Sequence, residues 1–229
     1  MIDILIACSA IIGTCIIYFT ALTVHKKIQH TFSIPVLTST VVIILILVLS
    51  QVSYETYMTG GKWIDELLGP AVVALAYPLY QQRDILKAVF LPILFGTFIG
   101  AVAGMSSGIL LAKAAGFDTL IIHSIIPKSV TTPVAMAVSS SAGGVTSLTA
   151  VFVMIAGIGG VLLHKSVFKL FRLNHYLGRG VGMGSASHAI GTATMMENSQ
   201  AEGSVSTIAM VSSAVIVSIV TPGLIFLLL

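Results

Sequence analysis

Charge is scarce in this chain. Only 8% of its 229 residues are Asp, Glu, Lys or Arg, while 56% are hydrophobic. Soluble domains carry about a quarter charged residues. With a mean hydropathy of +1.06, the shortage excludes a soluble fold and predicts an all-α integral membrane protein. Cysteine is scarce as well. Cys8 and Cys15 are seven residues apart, about 10 Å of helical rise, beyond disulfide reach. With no CxxC and no His/Cys cluster, nothing suggests a metal and no cofactor is expected. Ten-residue blocks of alternating apolar and polar residues are missing too, which excludes an outer-membrane barrel. The net charge of +3 is small and sits in loops, where it reports orientation rather than nucleic-acid binding.

What the chain does have is long apolar runs joined by short connections, so residues 1–229 are read as one membrane domain. Asp3 stands where a signal peptide would carry a basic region, and the uncharged run Ile4–Val24 is too long for a signal core, so it is expected to stay as span 1. His25, Lys26, Lys27 and His30 make a basic loop. Span 2 is expected near Ile34–Val52, followed by a loop holding Glu55, Lys62, Asp65 and Glu66. Segment 3 (Leu67–Tyr80) carries Gly69-Pro70 and reads as an interrupted helix. Span 4, about Ala88–Leu111, places Gly96, Gly100, Gly104 and Gly108 on one face, a stripe suited to close backbone approach. It reads either as static helix contact or as a sliding surface. Such close pairing also leads to the expectation of a homo-oligomer.

Segment 5 centres on Ile126-Pro127-Lys128-Ser129-Val130-Thr131-Thr132-Pro133-Val134. Between Asp118 and Ser139 only Lys128 is formally charged. Ten residues past Asp118 is about 15 Å of helix, half of a ~30 Å hydrocarbon core. A cation at that depth costs on the order of 2.5–3.5 kcal/mol and marks a candidate functional site. Pro133 cannot donate to the preceding turn, and Thr132 before it is pushed toward extended backbone. Thr132 therefore reads as an N-cap with Pro133 as the first helical residue. One half-helix would end near Ile126, and the next would aim its free N–H groups and positive dipole end into the protein beside Lys128. That arrangement suits a small carboxylate. The competing reading is a proline kink with Lys128 snorkelling or lining a merely structural cavity. Gly69-Pro70 parallels Thr132-Pro133, and two proline-started half-helices point to a transporter with inverted repeats.

Segment 6 is expected at Val145–Leu163, before a basic loop of His164, Lys165, Lys169, Arg172, His175 and Arg179. Segment 7, Gly180–Met196, holds Ser185-Ala186-Ser187-His188-Ala189-Ile190-Gly191-Thr192, and segment 8 runs from about Ser204 to Leu229. Placing the basic loops near 26, 85 and 170 in the cytoplasm works only if segment 5 dips in and returns on one side. Backbone of that kind is permitted where protein or a water-filled cavity covers it. Whether segment 7 crosses or re-enters stays open. The count is thus six to eight membrane segments, some broken or re-entrant.

Enzymatic readings find no support. His188 lacks a second His at helical spacing, so no zinc protease is indicated. Lys128 and Ser129 are sequence neighbours, which do not face each other on a helix. Gly180, Gly182 and Gly184 follow no strand, so a dinucleotide loop is not supported. His188 reads either as a hydrogen-bonded packing residue or as a substrate or proton group.

Leu68-Gly69-Pro70 through Ala76-Tyr77-Pro78-Leu79-Tyr80, Pro127 to Pro133, and Gly184 to Ala193 with Glu202-Gly203 together resemble the LrgB/CidB family, nearest its YohK-type Gram-negative branch. The resemblance covers nearly the whole chain, with Thr194-Met195-Met196 departing from the residues usual after the His-Ala-x-Gly-Thr-Ala run. It implies a single LrgB-like domain in a bacterial inner (cytoplasmic) membrane. It also implies a holin/antiholin-like role in murein hydrolase control and autolysis, with a small LrgA/CidA-type partner, or carriage of monocarboxylates such as pyruvate or glycolate. In the carrier reading the substrate-binding residues are Lys128, Ser129, Thr131, Thr132, Pro133, Gly69, Pro70, Ser185, Ser187, His188, Gly191 and Thr192.

Overall fold

The structure is a computed structural model that describes residues 2–28, 33, 35–67, 70, 73, 76–81 and 83–229, with the side chains of 2, 3, 76, 78, 79, 85 and 86 excepted. Most of the described residues are helical, and the chain forms two compact units, 1–71 and 72–229.

The first unit holds α1 (Ile2–Ile28), α2 (Pro35–Leu49) and α3 (Tyr54–Asp65). The third helix occupies what the sequence suggested was an acidic loop. Its start is fixed by Ser53, whose Oγ accepts the Thr56 N–H at 3.2 Å, satisfying one of the free donors of a first turn. Its buried Gly60 lies against Ala7 and Ala10 of α1, and Tyr57 shares a 2.9 Å hydrogen bond with Thr14.

In the second unit, α4 (Ala76–Gln81) and α5 (Arg83–Ala88) lead into α6 (Phe90–Ala114). Then come α7 (Thr119–Ile125), α8 (Thr132–Ser141), α9 (Thr146–Leu170), α10 (Tyr176–Asn198) and α11 (Gln200–Leu228). By length and composition α1, α6, α9 and α11 can each cross a membrane. The protein is a multi-pass helical membrane protein.

Segment 5 is a re-entrant hairpin. The chain leaves α7 at Ile126, turns through 126–130 and re-enters helix at Thr132. It then comes back to where it started: Val145 N–H donates to Ser124 Oγ at 2.8 Å. The α8 helix is tied to α9 by a buried 2.7 Å bond from Thr149 to Ser139. The N-cap is Thr131 rather than Thr132, with Pro133 inside the first turn. The one-residue shift follows from Ala135 N–H reaching the Thr131 carbonyl at 2.9 Å.

Segment 7 re-enters as well. Inside α10, His188 adopts φ 42°, ψ −132°, and the chain reverses there. A continuous helix would separate Arg179 from Glu202 by roughly 35 Å, yet their side chains form an ion pair at 3.2 Å. Gly191 likewise packs against the Met183 carbonyl eight residues earlier. Gly180 and Gly184 let the inbound half lie on the backbone and small side chains of α11.

The two hairpins enter from opposite ends of α6. A span followed by a hairpin (90–141) is thus repeated in reverse as α9 and its hairpin (146–198). The partner of the Pro133 break is therefore the break at His188. Gly69 lies outside the described residues, and Pro70 is exposed.

Candidate functional site

The glycine stripe of α6 is the surface on which the hairpin tips sit. A Cβ on Gly96 would lie 3.1 Å from Val181, and one on Gly100 would lie 3.1 Å from Ser185 Oγ. One on Gly104 would approach Ser129 Oγ to 3.4 Å, and one on Gly108 would meet Lys128 Nζ at 2.6 Å. Small residues at this spacing let polar side chains reach the helix backbone. Successive glycines carry the two hairpins in order along one face, so the tips adjoin near mid-helix. Gly100 is ten residues from the start of α6 and Gly104 ten from its end, about 15 Å from either.

Lys128 uses this surface directly. Its Nζ donates to the Gly104 carbonyl at 2.7 Å, so the lysine turns inward instead of snorkelling to an interface. The partner is a neutral dipole. Among the described residues the ion pair Arg179–Glu202 is the only carboxylate salt bridge, and Lys128 has no acidic neighbour. Four residues further along the chain, the first turn of α8 leaves the N–H groups of Thr132 and Val134 without intrahelical acceptors, Pro133 having none. Thr131 is buried, and its Oγ1 has no hydrogen-bond partner in the protein. A cation, a helix start and an unpaired hydroxyl make an arrangement that can accept a carboxylate.

The second tip is built against α9. His188 Nε2 bonds the Val153 carbonyl at 3.0 Å; since a carbonyl only accepts, Nε2 is the donor. The ring occupies the space over Gly157, where a Cβ would lie 2.7–2.8 Å from it, and Ser187 Oγ occupies the space over Gly160. Ser187 Oγ is fully buried and has no hydrogen-bond partner. A positive φ in a non-glycine residue costs of order 1–3 kcal/mol and persists only where its surroundings enforce it. Here Val153, Gly157 and the bond to backbone do so.

The sequence-predicted residues therefore fall into two neighbouring sets. Lys128, Ser129 and Ser185 lie along α6, with Thr131, Thr132 and Pro133 opening α8. Ser187 and His188 turn to α9, and Thr192 turns to α11, where its hydroxyl meets Ser206 at 2.9 Å. Gly191 packs within its own hairpin. The sets meet through the core, because Val153, whose carbonyl holds His188, packs in one cluster with Val130 and Ala135. Sequence reasoning missed the roles of Gly157 and Gly160 as seats for the second tip. Their signal was a pair of glycines three apart at the depth of a polar tip. It also missed that Gly104 and Gly108 form the seat of the lysine.

Comparison with known proteins covers nearly the whole chain. A family model described as the LrgB-like family matches residues 14–227. The chain is 46% identical over 224 residues to Bacillus subtilis (strain 168) YxaC, named an uncharacterized protein, covering 96% of this chain and 97% of that one. It is 34% identical over 217 residues to the holin-like protein CidB of Staphylococcus aureus (strain Mu50), covering 95% of each. No solved structure matches.

Proposed function

The chain belongs to the LrgB-like family, and we propose that it is a holin-like membrane protein of the cytoplasmic membrane that carries small monocarboxylates such as pyruvate, lactate or glycolate. The observation that carries this reading is Lys128, a cation at mid-span depth bonded to a carbonyl of α6 and four residues ahead of the first turn of α8 in the chain. A half-buried cation without a counter-charge at this depth is costly, and a substrate carboxylate offsets that cost. One cation suits one carboxylate, which favours monocarboxylates over dicarboxylates.

In this scheme Lys128 supplies charge and the first turn of α8 supplies N–H donors. Ser129, Thr131 and Thr132 orient the carboxylate. The second hairpin, which meets α6 through Ser185, supplies the opposing wall, with Ser187, His188, Gly191 and Thr192 holding that hairpin in shape. Two hairpins entering from opposite faces supply two gates, so alternating access requires only that the tips move in turn against the α6 glycines. The experiment is uptake of labelled pyruvate, lactate and glycolate into proteoliposomes holding the folded protein; no uptake of any of the three refutes the reading.

A second reading is a holin/antiholin-like regulator of autolysis that works with a small LrgA/CidA-type partner or as a homo-oligomer. Similarity to a relative named holin-like protein CidB favours it. A deletion strain with altered lysis and unchanged carboxylate flux supports this reading over carriage.

A further inference from the structure

At the end of the second unit where α9 finishes, a cavity of about 550 Å³ is lined by His164, Lys165, Phe168, Lys169, Asn174, Arg179, Asn198 and Glu202. It is separate from the hairpin tips: it gathers the end of α9, both ends of the α10 hairpin and the start of α11. Three lining side chains are permanently cationic and one is anionic, with two amides between them. His164 is a buried member of the lining. It is 94% buried, being 6% exposed, and its Nδ1 lies 2.6 Å from the Val161 carbonyl. That carbonyl can only accept, so Nδ1 carries the proton, and Nε2 has no partner in the protein.

Arg179 is fixed rather than free. It donates from Nε to the Leu173 carbonyl at 2.7 Å, bonds Glu202 at 3.2 Å and lies over the Phe168 ring at 5.5 Å. These bonds use two of its five N–H donors and hold the guanidinium in place. Lys165 and Lys169 lie on one side of α9, while Leu163, Val167 and Leu170, another face of the same two turns, are exposed and apolar. An apolar stripe at the height of a basic cavity belongs at a membrane surface, and the basic residues put this end on the cytoplasmic side.

We propose that this cavity binds a phosphate group, with Lys165 and Lys169 supplying charge and Arg179 a fixed fork. Phosphate matches several convergent donors better than a planar carboxylate, and basic pockets between spans at this face take phospholipid headgroups. The same chemistry is offered by an anionic lipid and by free phosphate.

The full chain in neutral-detergent micelles is titrated calorimetrically with inorganic phosphate and, separately, with short-chain phosphatidylglycerol. Binding of phosphate assigns a soluble source, and binding of the lipid alone assigns a headgroup; either supports the site. K165Q/K169Q, at exposed positions, is expected to weaken binding about 30-fold, from roughly fivefold for each lysine. K26Q/K27Q, on the basic end of α1, is expected to leave it unchanged. No binding in either arm, binding indifferent to K165Q/K169Q, or equal weakening by K26Q/K27Q overturns the proposal.

Discussion

Lys128 Nζ rests 2.7 Å from the carbonyl oxygen of Gly104, twenty-four residues earlier in the chain. The bond exists because Gly104 and Gly108 carry no side chains to keep the ammonium away from the α6 backbone. It positions a cation without neutralising it, which is the property a carrier of anions requires.

Gly108→Ala separates position from stability. The new Cβ would lie 2.6 Å from Nζ, at the mobile end of a long side chain, so the lysine is displaced at little cost. Alanine also gains up to about 1 kcal/mol of helix propensity. The expected result is unchanged or raised thermal stability with carboxylate uptake reduced at least about tenfold. Gly159→Ala, where nothing lies within 4 Å, is expected to keep uptake at the wild-type rate. Equal uptake by the two variants contradicts the assigned seat.

Gly157→Ala should behave in the opposite way. Its Cβ would meet the His188 ring at 2.7 Å and Ile190 at 2.9 Å, atoms held in a tight tip rather than on a flexible chain. Overpacking of this kind costs about 1–3 kcal/mol, readable as a lowered denaturation midpoint in detergent. An unchanged midpoint would mean that the tip is loosely packed.

His188 offers a test of sign. In a continuous helix glycine is less stable than alanine by about 1 kcal/mol. At φ 42° the order reverses, because alanine keeps the strain that glycine relieves. His188→Gly is therefore expected to be the more stable of the two, and denaturant unfolding in detergent would show it. The helical order would contradict the reversal of the chain at this residue.

Much of this arrangement was legible in the sequence. Lys128 announced itself as the lone charge in a deep apolar segment, Pro133 announced the helix break, and loop charges required segment 5 to return. The break at His188 was not legible, because a non-glycine residue held at positive φ by tertiary contacts leaves no propensity signal. Helix α3 was also missed: Glu55, Lys62 and Asp65 read as a loop, while Ser53 and Gly60-Gly61 carried the cap and the packing contact. The basic loop after Leu163 proved to be helix to Leu170, so Lys165 and Lys169 extend α9 instead of following it.

Impermeant thiol labelling of single-cysteine variants, with Cys8 and Cys15 replaced, tests the two hairpins. Phe117→Cys and Ser141→Cys are expected to react from one side of the membrane. Asn174→Cys and Asn198→Cys are expected to react from the other. Labelling of Phe117→Cys and Ser141→Cys from opposite sides would mean that segment 5 crosses, removing the re-entrant tip.

The central claim is that Lys128 holds the substrate's carboxylate, and paired proteoliposome uptake by the wild type and Lys128→Met tests it most directly. Removing one partner of a charge-assisted contact costs about 2–5 kcal/mol, so under the proposed function monocarboxylate uptake should fall at least about 30-fold while the variant inserts and folds normally. Uptake by Lys128→Met at the wild-type rate would contradict the account.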